Sequence, residues 1–300
     1  MNDGCWFGPN VGSDIASLVE RPDEWAEARA KTAVFQLYVQ SITGDDPDYG
    51  GTGPRSCWSA LSECGFVAKL AEWNIPLAIE AGLVKPGHCD GTACLDEIQL
   101  AIRKVREAGG EVRYVCLDEP LCASAPQWPD SCRLTLHQTA EIVAHAVEVI
   151  TQYGVGGIEV VLVEAYPSAR SGDLLGFVRS ILSHGVTLAG LHLDVDRYAV
   201  RDQKIKDQVF QREIAEMQQW FEEFGLPFGL IYMGQRASSE GDYQRDVLAL
   251  RDQIRRLGID RGRRIVQSWA TRGQNGPKDL PINLSETSPG SHTALLLEIA

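Results

Sequence analysis

The chain has 300 residues, 44% of them hydrophobic and 23% charged, with a formal net charge of −13. These proportions are ordinary for a soluble globular protein, and the length suits two modest domains or one α/β barrel, which takes about 250 residues. They exclude a nucleic-acid binder, which would carry a basic stripe, and a helical membrane span, because no run approaches the roughly 18 apolar residues required. The dense basic stretch from Arg261 to Arg264 reads as a solvated helix end, and an acidic surface would repel polyanionic substrates.

Periodicity alternates short β-like runs with longer helical ones. In chain order the strands are expected at residues 5–7, 33–39, 77–81, 112–117, 158–163, 188–193, 228–232 and 264–268. The helices between them are expected at 13–30, 57–73, 95–108, 135–152, 172–184, 208–224 and 243–257, with a closing helix at 291–299. Glycines stop most helices just before the next strand, at Gly109-Gly110, Gly154, Gly185, Gly225 and Gly258. The loops that follow the strands are longer and richer in polar, Pro and aromatic residues. Eight β/α units in one run point to a (β/α)8 TIM barrel over 1–300, with its active face at the strand C-termini.

Strand parity then locates the chemistry. In Leu191-His192-Leu193-Asp194-Val195-Asp196 the polar residues share one face, and helix-facing positions of a barrel strand should be apolar. His192, Asp194 and Asp196 are therefore expected to face the barrel axis or its mouth. Glu80 shares the face of Ala78, Glu164 that of Val160 and Leu162, and Gln267 that of Trp269, while Asp118 and Glu119 close the fourth strand. A single such acid would read as a helix cap. Acids at the ends of successive strands read as a catalytic or metal-binding cluster. Aromatic residues join them: Tyr38, Trp128, Tyr166, Tyr198, Tyr232 and Trp269 lie at or just past strand ends. Sugar rings stack their C–H faces on such rings, while their hydroxyls need carboxylates and amides such as Asn10, Gln36, Gln40 and Gln267. Trp58, Trp73 and Trp220 fall within helices and read as core packing.

All eight cysteines precede residue 133. Cys89 with Cys94, and Cys122 with Cys132, each bracket a short loop, which suggests two disulfides and an oxidising compartment. Structural zinc would use tandem cysteine pairs only a few residues apart, and these spacings differ. Cys116, inside a strand, is expected to be a buried free thiol or paired to another strand. No signal peptide is visible ahead of Met1-Asn2-Asp3-Gly4.

Leu117-Asp118-Glu119-Pro120 resembles the Asn-Glu-Pro motif of the large clan of retaining glycosidases with (β/α)8 barrels. In that clan the Glu is the general acid/base, so the resemblance implies that role for Glu119. Trp269 resembles the clan's sugar-platform Trp. The whole chain is similar to a group of bacterial glycosidase-like barrels that share the start Trp6-Phe7-Gly8-Pro9-Asn10, the Asp-Glu-Pro-Leu segment, an Asp-containing sixth strand and the ending Gln267-Ser268-Trp269. Two departures stand out. The motif opens with Asp118 in place of Asn, and Phe228 to Gly234 contains no Glu to match the clan's strand-seven nucleophile. Glu164 or Asp194 is then the second carboxylate.

The expected function is hydrolysis of a glycosidic bond in a poly- or oligosaccharide by a secreted or periplasmic bacterial monomer that needs no cofactor. Glu119, Glu164 and Asp194 are the catalytic candidates. Asn10, Gln36, Tyr38, Glu80, Asp118, Tyr166, His192, Asp196, Tyr232, Gln267 and Trp269 are the substrate-binding ones. Two alternatives stand beside it. One is a sugar isomerase or epimerase that holds a divalent ion on Glu119, Glu164, His192 and Asp194. The other is a carbohydrate-binding barrel that has lost its nucleophile.

Overall fold

The computed structural model describes residues 4–9, 15–44, 57–125, 131–153, 157–234, 240–268 and 282–300. Each β-like run becomes a strand: β1 (Cys5–Gly8), β2 (Thr32–Tyr38), β3 (Leu77–Gly82), β4 (Val112–Asp118), β5 (Glu159–Tyr166), β6 (Leu191–Val195), β7 (Phe228–Tyr232) and β8 (Arg263–Gln267). All pairings are parallel and follow chain order, and β1 also pairs with β8, so the sheet closes into a barrel. Trp6, Phe7 and Gly8 lie level with Ile265, Val266 and Gln267. The expected (β/α)8 barrel is therefore what forms, with its short first strand inside the sheet.

Four residues suffice for β1 because Phe7 anchors it. The Phe7 ring is fully buried, edge-on to Phe35 at 5.7 Å and tilted against Trp25 at 6.1 Å. Truncating such a ring costs about 3–5 kcal/mol.

The connecting helices are α1 (Ile15–Glu20), α2 (Ala26–Lys31), α3 (Val39–Thr43), α4 (Trp58–Glu63), α5 (Phe66–Glu72), α6 (Thr92–Glu107), α7 (Pro120–Ser124), α8 (Leu136–Tyr153), α9 (Ser171–Leu182), α10 (Arg197–Asp202), α11 (Asp207–Glu223), α12 (Glu240–Arg256) and α13 (His292–Ile299). Two expected helices are broken. Pro22 opens a 3₁₀ turn (Pro22–Trp25) between α1 and α2, where its missing N–H is harmless. Gly65, at φ 69°, separates α4 from α5, a conformation that suits glycine. The short helices α3, α7 and α10 follow strand ends directly and were not expected, since fewer than two turns show no period. The glycine stops are observed at Gly109, Gly185, Gly225 and Gly258, all at positive φ; Gly154 lies outside the described residues. Among the described residues no helix is long and apolar enough to cross a membrane.

One disulfide joins Cys89 to Cys132. The expected partners Cys94 and Cys122 are free thiols, which corrects both expected pairings. The reason is that β3 and β4 are neighbours, so the segments after them lie side by side and pair across rather than within themselves. Cys94 is buried in the first turn of α6, and the Cys122 thiol turns to the Ala165 carbonyl at 3.8 Å. Cys116 is buried, as expected.

Candidate active site

Register shows which residues enter the barrel. Tyr38, Glu80 and Cys116 lie level on β2, β3 and β4, and Gly82 lies level with Asp118. On the far side Ala165 and Asp194 are level with Ile231. Within the barrel Glu80 is buried, accepting hydrogen bonds from Gln36 Nε2 and, at 2.9 Å on each oxygen, from Gln267 Nε2. Gln36 Nε2 also donates to Gln267 Oε1 at 3.0 Å, Gln267 Nε2 to the Tyr38 hydroxyl, and the Cys116 thiol to Gln36 Oε1 at 3.7 Å. Gln36, Tyr38, Glu80 and Gln267 thus form one network, as their inward parity requires.

Above this network Asp118, Glu119 and Asp194 are half-buried. Glu119 is the N-cap residue of α7, at φ 46°, and its side chain makes no capping bond. Its backbone is held by an N–H donated to the Val163 carbonyl at 2.8 Å and a carbonyl that accepts from Ala123 at 2.9 Å. Burial, followed by the charges of Asp118, Asp194 and Glu164, pushes the Glu119 carboxyl up to about 8. Burial and then Asp118 hold Glu80 well above the carboxylate range. Asp118 is also raised by burial, against the pull of the Lys85 ammonium. Burial and then Glu80 raise the Tyr38 phenol. Carboxyls that share a water-poor site cannot all ionise, so some keep their protons at neutral pH.

The remaining site candidates lie elsewhere. Glu164 is level with Leu193, on the face that looks out to the helices. It is fully buried and accepts the N–H groups of Leu121 at 2.7 Å and Cys122 at 3.3 Å, capping the start of α7 from outside the barrel. Burial lifts its carboxyl to about 8 despite those bonds. Parity alone misled here. In Glu159-Val160-Val161-Leu162-Val163-Glu164 both faces are apolar, as in any strand buried on both sides, so only register separates inside from outside.

Tyr166, level with Val195, also points outward. Its hydroxyl donates to Glu213 at 2.9 Å, and Arg170 Nε donates to the same carboxylate at 2.8 Å, latching β5 to α11. Tyr232, level with Val266, turns outward to Asp260, with its hydroxyl 3.4 Å from the carboxylate. Asp196 caps α10, accepting from Ala199 N–H at 2.9 Å. His192 faces inward but below the acids, buried edge-on against Trp6 at 4.5 Å, where Gly229 leaves room for its ring. Burial, then Arg263, keeps it neutral. The ion-holding set Glu119, Glu164, His192 and Asp194 is therefore not assembled. Asn10, Trp128 and Trp269 lie outside the described residues.

Sequence reasoning missed Lys85. It lies in the loop after β3, where no period signals its direction. It also missed a cavity of about 340 Å³ between α10, α11 and α12, lined by Arg197, Tyr198, Arg201, Asp246 and Gln253. None of the four mouth carboxylates lines this cavity. Arg197 is paired with Asp246 at 2.7 Å, and Arg201 lies over the Tyr198 ring at 4.9 Å.

No protein-family model matches the chain, and no curated protein matches it by sequence. Solved structures do. A fungal β-1,4-galactanase aligns over 98% of this chain and 99% of its own, with 9% identity and a TM-score of 0.57. An endo-β-1,4-mannanase of Cellulomonas fimi aligns over 99% of this chain and 70% of its own, with 13% identity and a TM-score of 0.57. The 3-keto-D-glucoside 4-epimerase of E. coli aligns over 100% and 98%, with 12% identity and a TM-score of 0.48. The likeness is one of fold.

Proposed function

We propose that this barrel is the catalytic domain of a glycoside hydrolase acting on a poly- or oligosaccharide outside the cytoplasm. The observation that carries the reading is the set Glu80, Asp118, Glu119 and Asp194, brought from β3, β4 and β6 to one mouth, with Glu119 pushed up to about 8. A poor alkoxide leaving group departs only if its oxygen is protonated, and an acid that keeps its proton near neutral pH can supply that proton.

In the proposed reaction Glu119 gives its proton to the glycosidic oxygen as the C–O bond breaks, and Asp194 faces the developing positive charge. Asp194 either bonds to the anomeric carbon or removes a proton from the water that does. A carboxylate separation of about 5 Å suits the first course, and about 6.5–9.5 Å the second. Of the two expected partners, Asp194 is preferred because Glu164 lies outside the barrel wall. The Gln36, Glu80 and Gln267 network presents hydrogen-bonding groups of the kind that hold sugar hydroxyls. The galactanase and mannanase barrels are built on the same frame.

The test is a polysaccharide panel scored for both binding and product release. The Glu119→Gln variant should lose most turnover on the natural glycan, and much less on a substrate with an activated leaving group. Near wild-type turnover by Glu119→Gln would refute the assignment. Binding without product release by the wild-type protein would favour a carbohydrate-binding barrel instead, a reading kept in view because Phe228 to Gly234 contains no carboxylate.

A further inference from the structure

Two carboxylates suffice for glycoside hydrolysis, yet this mouth holds four acids in a water-poor space, so something must decide which of them keeps the proton. The Lys85 ammonium lies closest to that decision. β3 ends at Gly82, level with Asp118, where any other residue would send a side chain into the mouth. A Cβ built on Gly82 would fall 1.8 Å from Lys85 Cε and 2.6 Å from Nζ. The lysine arm thus occupies the space of the missing side chain, and its charge pulls Asp118 toward ionisation. No ion pair within 4 Å is found for Lys85 among the described residues.

The backbone of Lys85 is fixed by its carbonyl. Its carbonyl accepts the His88 N–H at 2.8 Å, and the sulfurs of Cys89 and Cys132 lie 3.6 and 3.3 Å from it. The disulfide between those cysteines ties this loop to the segment after α7, the helix that Glu119 opens.

We infer that Lys85 is a positioning residue that acts through Asp118, holding it ionised so that the neighbouring Glu119 keeps its proton. This rests on the glycosidase reading. The groups facing Asp118 are Tyr38 on β2, Glu80 on β3, Cys116 and Glu119 on its own segment, and Glu164 across the wall, while Asp194 on β6 acts on Tyr38, Glu80 and Glu119. Lys85 is the cation that acts on Asp118. Beyond Asp118, Lys85 also faces Cys94 and Glu97 of α6. Without the ammonium, Asp118 would take up a proton more readily. Glu119 would then lose a negative neighbour and release its own proton at lower pH.

The test titrates the carboxyl carbons of ¹³C-labelled protein by NMR in wild type, Lys85→Met, Lys85→Arg and Gly82→Ala. Gly82 does not have positive φ among the described glycines, so alanine alters the space above it rather than its backbone. Lys85→Met should raise the Asp118 titration by about one pH unit and lower that of Glu119. Gly82→Ala should do the same by displacing the arm, while Lys85→Arg should stay near wild type. On a hydrolysed glycan, Lys85→Met should move the alkaline limb of kcat down with KM changed less than about twofold. An unmoved Asp118 titration, or a raised KM with an unmoved limb, would overturn the inference. A wild-type protein that cleaves no glycan would overturn the functional reading, leaving the titration to decide on Lys85.

Discussion

Glu119 and Glu164 lie on opposite sides of one wall of the barrel, and burial lifts both carboxyls to about 8. Only their surroundings tell them apart. Glu119 is half-buried at the mouth, with no capping bond from its side chain, whereas Glu164 is sealed behind the wall with two backbone N–H groups on its oxygens. A displaced pKa therefore reports burial first. It becomes a sign of chemistry only where the group also faces space that a substrate can enter.

The sharpest way to break this comparison is to neutralise each acid in turn. Glu119→Gln should reduce turnover on a natural glycan by about a thousandfold, as loss of a general acid does, and should melt near the wild-type temperature. The next effect in size belongs to the crosslink between the loop after β3 and the segment after α7. Reduction of Cys89–Cys132, or the Cys132→Ser variant, should destabilise the protein by about 3 kcal/mol, since the crosslink closes a long loop. Thermal melts with and without reductant would show this, and Cys94→Ser and Cys122→Ser should retain the reductant response of the wild type.

Glu164→Gln should show the reverse of Glu119→Gln: turnover within about threefold, and a stability loss of about 1–3 kcal/mol. A glutamine can offer its one oxygen to α7 but would turn an NH₂ group toward a second N–H. If Glu164→Gln abolishes activity with an unchanged melt, the division between inner and outer acid fails.

The last effect is a pH dependence that the two residues share. Each binds its proton more tightly in the folded chain than at the ordinary carboxyl value of 4.5. Their stabilising contribution is therefore complete below about pH 4.5 and lost as pH rises through about 8. Melting temperature should decline across that window, and less so in Glu164→Gln. Activity should fall only as pH rises through about 8, for a different reason: Glu119 must hold its proton to act.

Much of this molecule is legible in its amino-acid order alone. Alternating β and helical periods predict eight β/α units, and glycines mark the helix stops that the backbone takes at positive φ. Parity within β6 places Asp194 inward because its alternate residues differ in polarity. Parity within β5 cannot do so, because the run Val160-Val161-Leu162-Val163 that precedes Glu164 is apolar on both faces. Tyr166 and Tyr232 read as mouth residues for a related reason. Being last in a strand says nothing about the face, and both hydroxyls found carboxylates outside the barrel, in Glu213 and Asp260.

What the sequence determined by itself was the order and type of the elements, the closure into a barrel and the pool of acids at the strand ends, because these depend on local period and composition. What only the tertiary structure decided was which acids share one space. The cysteines show the same limit, since Cys89 meets Cys132 across two neighbouring segments rather than the nearer Cys94. Lys85 shows it too: its arm fills the gap left by a glycine three residues earlier. Register, side-by-side loops and vacated volume are relations between distant parts of the chain, and a local pattern carries no record of them.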